Sequence, residues 1–218
     1  MKKTLISFDL DGTIVKPDYN EFIWFKEIPE LYAKKYGLDF EKAREKVIKE
    51  YEKVGDNDVR WYRLEYWLKH FGFGVGEKEI LEKYAPFVEL YPEVIYVLEK
   101  LKKNYILVIS SAMGREFINV KLRKEKIFKY FNKVFSAISD FGMIKKEVAF
   151  YRKVCQSLDI SPSQLIHVGD NYEADYLVPR NIGIRSFYLN RTGYRLSNND
   201  DSVVSDLKEF VYKINNTS

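Results

Sequence analysis

Two textures alternate along the chain: short, nearly continuous apolar runs, and longer stretches in which apolar residues return every third or fourth position. Leu5-Ile6-Ser7-Phe8 is a run of the first kind and predicts a buried strand. It stops at Asp9-Leu10-Asp11-Gly12-Thr13, where Gly12 permits a tight turn. From about Pro17 to Val88 the period is helical, predicting helices near 20–36, 40–53, 58–71 and 77–87 and no strand. After Tyr91-Pro92 helices and strands alternate. The pattern predicts a helix near 93–103, a strand over 105–109 ending at Ser110-Ser111, and helices near 115–125 and 127–131. A strand over 133–136, a helix over 147–158 and a strand over 164–168, ending at Gly169-Asp170, come next. Strands at 185–189 and 201–204 and a helix from Asp206 close the series.

Apolar strands separated by amphipathic helices imply a parallel sheet covered on both faces. The expected fold class is therefore α/β, a Rossmann-like parallel-sheet core with helices on both faces, built from residues 1–15 and 89–218. Residues 16–88 form an all-helical insertion. Ligands of such sheets bind beyond the carboxyl ends of the strands, and the polar residues of interest fall at those ends.

Composition narrows the picture by exclusion. Of 218 residues, 46% are apolar and 31% charged, a globular balance. Lys and Arg total 36 against 32 Asp and Glu, and the +4 surplus is interleaved, so neither nucleic acid nor a membrane surface is an expected partner. The N-terminal apolar stretch meets Asp9 too early for a secretory signal. Cys155, the single cysteine, fits a reducing, cytoplasmic setting. His70 and His167 stand almost a hundred residues apart with no cysteine pair, which argues against a zinc site.

Four short motifs carry the chemistry. Asp9 and Asp11 project together from the end of the first strand, within Phe8-Asp9-Leu10-Asp11-Gly12-Thr13. Ser110 ends a hydrophobic strand. Lys145 lies in Gly142-Met143-Ile144-Lys145-Lys146, and Gly169-Asp170 is followed by Asp175. In this order they resemble the haloacid dehalogenase-like (HAD) superfamily, in particular its phosphatases, which open with hhhDxDGT. Lys145 matches the family's lysine by its distance to the fourth motif, and Lys146 stands where the family usually has proline.

The resemblance implies a phosphatase of small phosphate monoesters. Asp9 would be the nucleophile, through an aspartyl-phosphate, and Asp11 the general acid and base, oriented by Thr13. It implies Mg²⁺ held by Asp9, the Asp11 carbonyl and Asp170, with Asp175 behind them. Lys145 and Ser110 would stabilise the transferring phosphoryl group, with Ser111 completing its cradle. Residues 16–88 fall where family members carry a helical cap that selects substrate, so Tyr19, Asn20 and Arg60 are candidate substrate contacts. The alternatives are a 2-haloacid dehalogenase, a phosphomutase or a phosphonate hydrolase. Asp11 weighs against the dehalogenase, because displacing halide needs no acid for an alkoxide. A signalling phosphoacceptor and a non-catalytic binding protein are the readings from other classes. The expected partner is a small-molecule phosphate ester, and the chain is expected to be a monomer or homodimer.

Overall fold

The computed structural model describes residues 4–193 and 201–216. Its centre is a six-stranded, all-parallel sheet in the order β3-β2-β1-β4-β5-β6. The strands are β1 (Leu5–Phe8), β2 (Ile106–Ser111), β3 (Lys133–Ser136), β4 (Leu165–Gly169), β5 (Arg185–Leu189) and β6 (Val203–Val204). Every residue of β1 and β4 is buried, as expected of central strands covered on both sides. Alternate side chains feed two cores. Ile6, Phe8, Leu107 and Ile109 join a large cluster on one face, while Leu5, Val108 and Leu165 meet Phe150, Tyr151 and Val154 on the other.

Between β1 and β2 the chain is helical throughout, in α1 (Asp18–Phe22), α2 (Ile28–Tyr36), α3 (Phe40–Val54), α4 (Leu64–His70) and α5 (Glu77–Tyr84). A π-helical turn, Ile23–Glu27, joins α1 to α2, which explains why the periodicity reads as a single helix. The expected helix over 58–71 is instead a 3₁₀ turn, Val59–Tyr62, and then α4, because Arg63 is extended. The insertion packs around Trp67, which is fully buried, while Trp24 and Trp61 are partly buried against the same cluster. Two chain segments connect it to the sheet side by side: Lys16 N–H donates to Glu89 O, and Tyr91 N–H to Ile14 O.

Past the insertion come α6 (Val94–Leu101), α7 (Arg115–Lys124), α8 (Ala137–Phe141), α9 (Val148–Leu158), α10 (Val178–Arg180) and α11 (Leu207–Asn216). The pattern missed α8, a five-residue helix that Ser136 starts by accepting from Ser139 N–H and Gly142 ends in the left-handed region. It is too short for periodicity to register. No helix among the described residues is long and apolar enough to cross a membrane.

The strand order reverses between β1 and β4, since β1 is followed in space by β2 on one side and β4 on the other. A crevice opens beyond the carboxyl ends of strands at such a point. Asp9 and Asp170 follow directly on those two strands.

Candidate active site

Asp9 leaves the end of β1 almost fully buried, its backbone N–H donating to Val168 O. Its Oδ1 accepts from Lys146 Nζ at 2.5 Å, and its Oδ2 accepts from the buried Thr13 hydroxyl at 3.2 Å. Two residues on, Asp11 is about a fifth exposed, and its Oδ1 takes two donors. One is the Asn20 amide at 2.9 Å, and the other is Lys121 Nζ. Asn20 therefore meets the general-acid candidate directly, and its own buried amide oxygen has no partner among the described residues.

Gly12 holds φ +77°, and a Cβ there would sit 2.0 Å from Asp170 Oδ2. Only glycine lets the first loop lie this close to the fourth-motif carboxylate. Arg191, outside all four motifs, holds that loop from behind. It donates to Gly12 O at 3.1 Å, Thr13 O at 2.9 Å and Glu93 at 2.7 Å, and stacks on Tyr91.

Beneath the cleft lies a buried polar chain. Asp175 Oδ1 contacts Lys146 Nζ, lies 3.0 Å from His167 Nε2 and accepts from the Tyr151 hydroxyl at 3.2 Å. Its Oδ2 accepts from Asn171 N–H. On the other side of the ring, His167 Nδ1 lies 3.0 Å from Ser7 Oγ, which donates to Ser110 Oγ at 2.7 Å. Ser7 and His167 are strand neighbours in the β1–β4 register, and Ser7 pairs with Val108 in β2, two residues before Ser110. The sequence alone reads His167 as a residue packed or hydrogen-bonded locally; its partners turn out to come from β1, α9 and the turn after β4. Ser111 Oγ accepts from Met113 N–H, closing the turn after β2.

The lysine expectation is corrected by this arrangement. Lys145 is half exposed on the cleft wall, 3.4 Å from Asn57 and 3.8 Å from Asp56 of the helical insertion and without a contact to the motif carboxylates. Lys146 is the buried lysine between Asp9 and Asp175. The two lysines sit on a bend closed by Glu147 N–H donating to Lys145 O, so a one-residue ambiguity in sequence becomes a choice between two different surroundings.

Two substrate-contact expectations also change. Tyr19 is fully buried, with its hydroxyl donating to Leu81 O and its ring under Lys121. Arg60 is exposed and forks onto Asp58, while its neighbour Tyr62 lines the cleft.

The cleft, about 670 Å³, is lined by Asp9, Asp11, Ser111, Lys146, Asp170 and Asp175, with Tyr62 and Met113 among its other walls. A cavity of equal volume within the insertion, lined by Glu27, Lys34, Lys35 and Lys83, contains none of the motif residues.

Charge in the cleft is out of balance. One ligand oxygen from each of Asp9, Asp170 and Asp175 lies within 4.8 Å of the others, and among the described residues Lys146 is the one ammonium in contact with them. Burial, then the Asp175 and Asp170 charges, push the Asp9 carboxyl well above its ordinary range, with Lys146 opposing. Asp170 reaches solvent at the cleft floor, yet its surroundings and the Asp175 charge push it up to about 6. Asp175 moves the other way, because Lys146 and the His167 hydrogen bond outweigh its burial. Three carboxylates and one ammonium call for a further cation. All-oxygen donors suit a hard divalent ion. Asp170 reaches solvent and Asp9 Oδ2 takes a single long hydrogen bond from Thr13, so each can offer an oxygen, while three groups crowd Asp175 Oδ1 and Asn171 N–H donates to its Oδ2.

The model of the haloacid dehalogenase-like hydrolases matches residues 3–183. The chain belongs to that family. It is accordingly an enzyme, a hydrolase on the Rossmann-like sheet of the family. The structure is similar to a HAD phosphatase from Thermococcus onnurineus, with a TM-score of 0.84 and 25% identity over 97% of each chain. In sequence it resembles the GMP/IMP nucleotidase YrfG of Escherichia coli (strain K12), 24% identical over 83% of this chain and 79% of the relative. A 2-haloacid dehalogenase from Pseudomonas syringae pv. Tomato shares the fold, with a TM-score of 0.69, 19% identity and 98% of each chain covered. The family's fold thus serves dehalogenation too, and the reaction has to be argued from the side chains.

Lys121 and Arg191 went unread in the sequence. Lys121 stands at a helical position whose neighbours four and three residues back, Phe117 and Ile118, are apolar, so its burial was the available signal.

Proposed function

We propose that this hydrolase is a Mg²⁺-dependent phosphatase of small phosphate monoesters, acting through an aspartyl-phosphate on Asp9. The observation that carries the reading is Asp11, held by Lys121 and Asn20 beside the nucleophile and open to the cleft. A dehalogenase has no use for a second carboxylate that can hand a proton to a leaving oxygen.

In the first step an Asp9 carboxylate oxygen forms a bond to phosphorus as the ester P–O bond breaks. The electron pair stays on the leaving oxygen, which takes the Asp11 proton and departs as an alcohol. A water then attacks phosphorus and gives its proton to Asp11, and the Asp9–phosphorus bond breaks to release inorganic phosphate. Lys146 offsets the charge of the phosphoryl group, and the Ser110 hydroxyl, set by Ser7, donates to one of its oxygens. Mg²⁺ held by Asp9, the Asp11 carbonyl and Asp170 would screen the repulsion between substrate dianion and carboxylates. Residues 16–88 act as the cap, with Tyr62 lining the cleft. GMP and IMP, named for the bacterial relative, head the esters to test, followed by sugar phosphates. The free, buried Cys155 fits a cytoplasmic setting.

Hydrolysis of p-nitrophenyl phosphate with Mg²⁺, and its loss in chelator, tests the reading directly. Absence of metal-dependent turnover on that ester and on the natural monoesters would overturn it.

The unbalanced carboxylates make a separate stability prediction. Asp9 and Asp170 hold protons more tightly folded than unfolded, so their contribution to stability falls as pH rises above about 4, for Asp170 through about 6. Above that window a bound cation takes the place of the protons. At pH 7.5, Mg²⁺ at about 100 times its dissociation constant adds ~2.7 kcal/mol, a rise in melting temperature of roughly 5–10 °C. At pH 5 the gain shrinks, because protons compete for the same oxygens. Thermal melts with Mg²⁺ or chelator at both pH values check this; an equal gain at both would contradict it.

A further inference from the structure

Lys121 is a fully buried lysine in the middle of α7, on the face that also buries Phe117, Ile118 and Leu122. Its Nζ lies over the rings of Tyr19 and Phe117, at 5.4 and 6.0 Å from their centroids, and its carboxylate partner is Asp11. Stability gives little reason for this choice of residue. A buried ion pair is seldom better than a well-packed apolar residue of similar size, and Asp11, a fifth exposed, has water at hand as an alternative partner.

The geometry on Asp11 supplies the reason. Lys121 reaches it from α7, and Asn20 reaches it from α1 at the start of the helical insertion, and both donate to Oδ1. Among the described residues no protein donor occupies Oδ2. A carboxylate gripped by one oxygen from two directions cannot spin, and its other oxygen keeps a single heading.

We propose that Lys121 is a positioning residue for the acid–base step. By clamping Asp11 Oδ1 together with Asn20, it leaves Oδ2 to carry the proton between Asp11 and the leaving oxygen. The inference rests on the phosphatase reading. It says that Lys121 matters in proportion to how much the leaving group needs that proton. An alkoxide needs it; p-nitrophenolate, a stable anion, leaves without it.

The test compares kcat/KM, which reports transfer to Asp9, on p-nitrophenyl phosphate and on an alkyl phosphate. GMP, ribose 5-phosphate and glycerol phosphate are tried with the wild-type enzyme, and the fastest is used. Lys121→Met, which fills the same apolar space, is expected to lower kcat/KM on the alkyl ester by ~10² and on p-nitrophenyl phosphate by less than about 5-fold. Asn20→Ala, at a partly exposed position, removes the other donor and shifts the ratio the same way by roughly 3–10-fold; it carries the test should Lys121→Met not fold. Equal losses on both esters, or none, in the variants that fold would overturn the clamp while leaving the phosphatase standing. Failure of the wild-type enzyme on every ester would remove the phosphatase reading first, and the clamp with it.

Discussion

Asp9→Asn loses at least about 10⁴-fold in turnover of every phosphate ester the enzyme accepts. The substitution keeps the side chain's shape and its hydrogen bond from Thr13, but a neutral amide oxygen is too weak a nucleophile to displace an alkoxide. Folding should not suffer. Asp9 is a buried carboxyl pushed up by burial and by the Asp175 and Asp170 charges, so its negative charge costs stability at neutral pH. Removing the charge leaves Lys146 with Asp175 as partner, and the metal-free melting temperature is expected to stay level or rise. Loss of activity together with an unchanged or higher melting temperature marks a residue whose burden is chemical. A variant that retained more than about a tenth of wild-type turnover would take the nucleophile's role away from Asp9. Trapping the intermediate by rapid acid quench, with phosphate bound to the wild-type protein and absent from the variant, gives a second check.

Lys146→Met is expected to lower kcat by roughly 10²–10³, whereas Lys145→Ala stays within about 3-fold. Lys146 is the one ammonium between Asp9 and Asp175; burial alone would lower its pKa, but the two carboxylates outweigh burial and hold it charged. In the proposed reaction its positive charge would face the oxygens that gain charge as the phosphoryl group moves. Lys145, half exposed against Asp56 and Asn57 on the cleft wall, touches neither Asp9 nor Asp175. Removing one partner from a buried cluster also destabilises, by ~3–5 kcal/mol, so the kinetic loss must be read below the variant's own melting temperature. Rescue of Lys146→Ala by a small primary amine, which can enter the space the truncation opens, separates a lost charge from a disturbed fold. If Lys145→Ala proved the damaging change, the assignment would revert to the lysine that spacing alone favours.

The difference between these two lysines shows how far the chain can be read. The sheet was legible because its first five strands are mainly apolar runs four to six residues long, and the fourfold motif order places Asp9, Asp11, Ser110 and Asp170 at strand ends. Periodicity also located the helical stretch between the first two strands. It could not divide that stretch correctly at Glu27 and Arg63, since a π turn and one extended residue leave the apolar spacing nearly intact. The expectation for Tyr19 failed for a related reason. Residues near the junction with the insertion share a neighbourhood with the site, but which ones face it depends on rotation about α1, and Tyr19 and Asn20 point to different sides.

What the sequence determined by itself is the set of elements and the chemistry of their ends: local hydrophobic period and short-range spacing are properties of neighbours along the chain. What the tertiary structure decided is which distant groups meet. Lys121 reaches Asp11 across 110 positions, Lys146 reaches Asp9 across 137, and the His167–Ser7–Ser110 chain spans three strands adjacent only in the folded sheet. Each contact depends on the register of parallel strands and the rotation of one helix on that sheet. A single residue's slip between β1 and β4 would part Ser7 from His167 and turn one of them to the opposite face, because side-chain direction reverses with every residue of a strand.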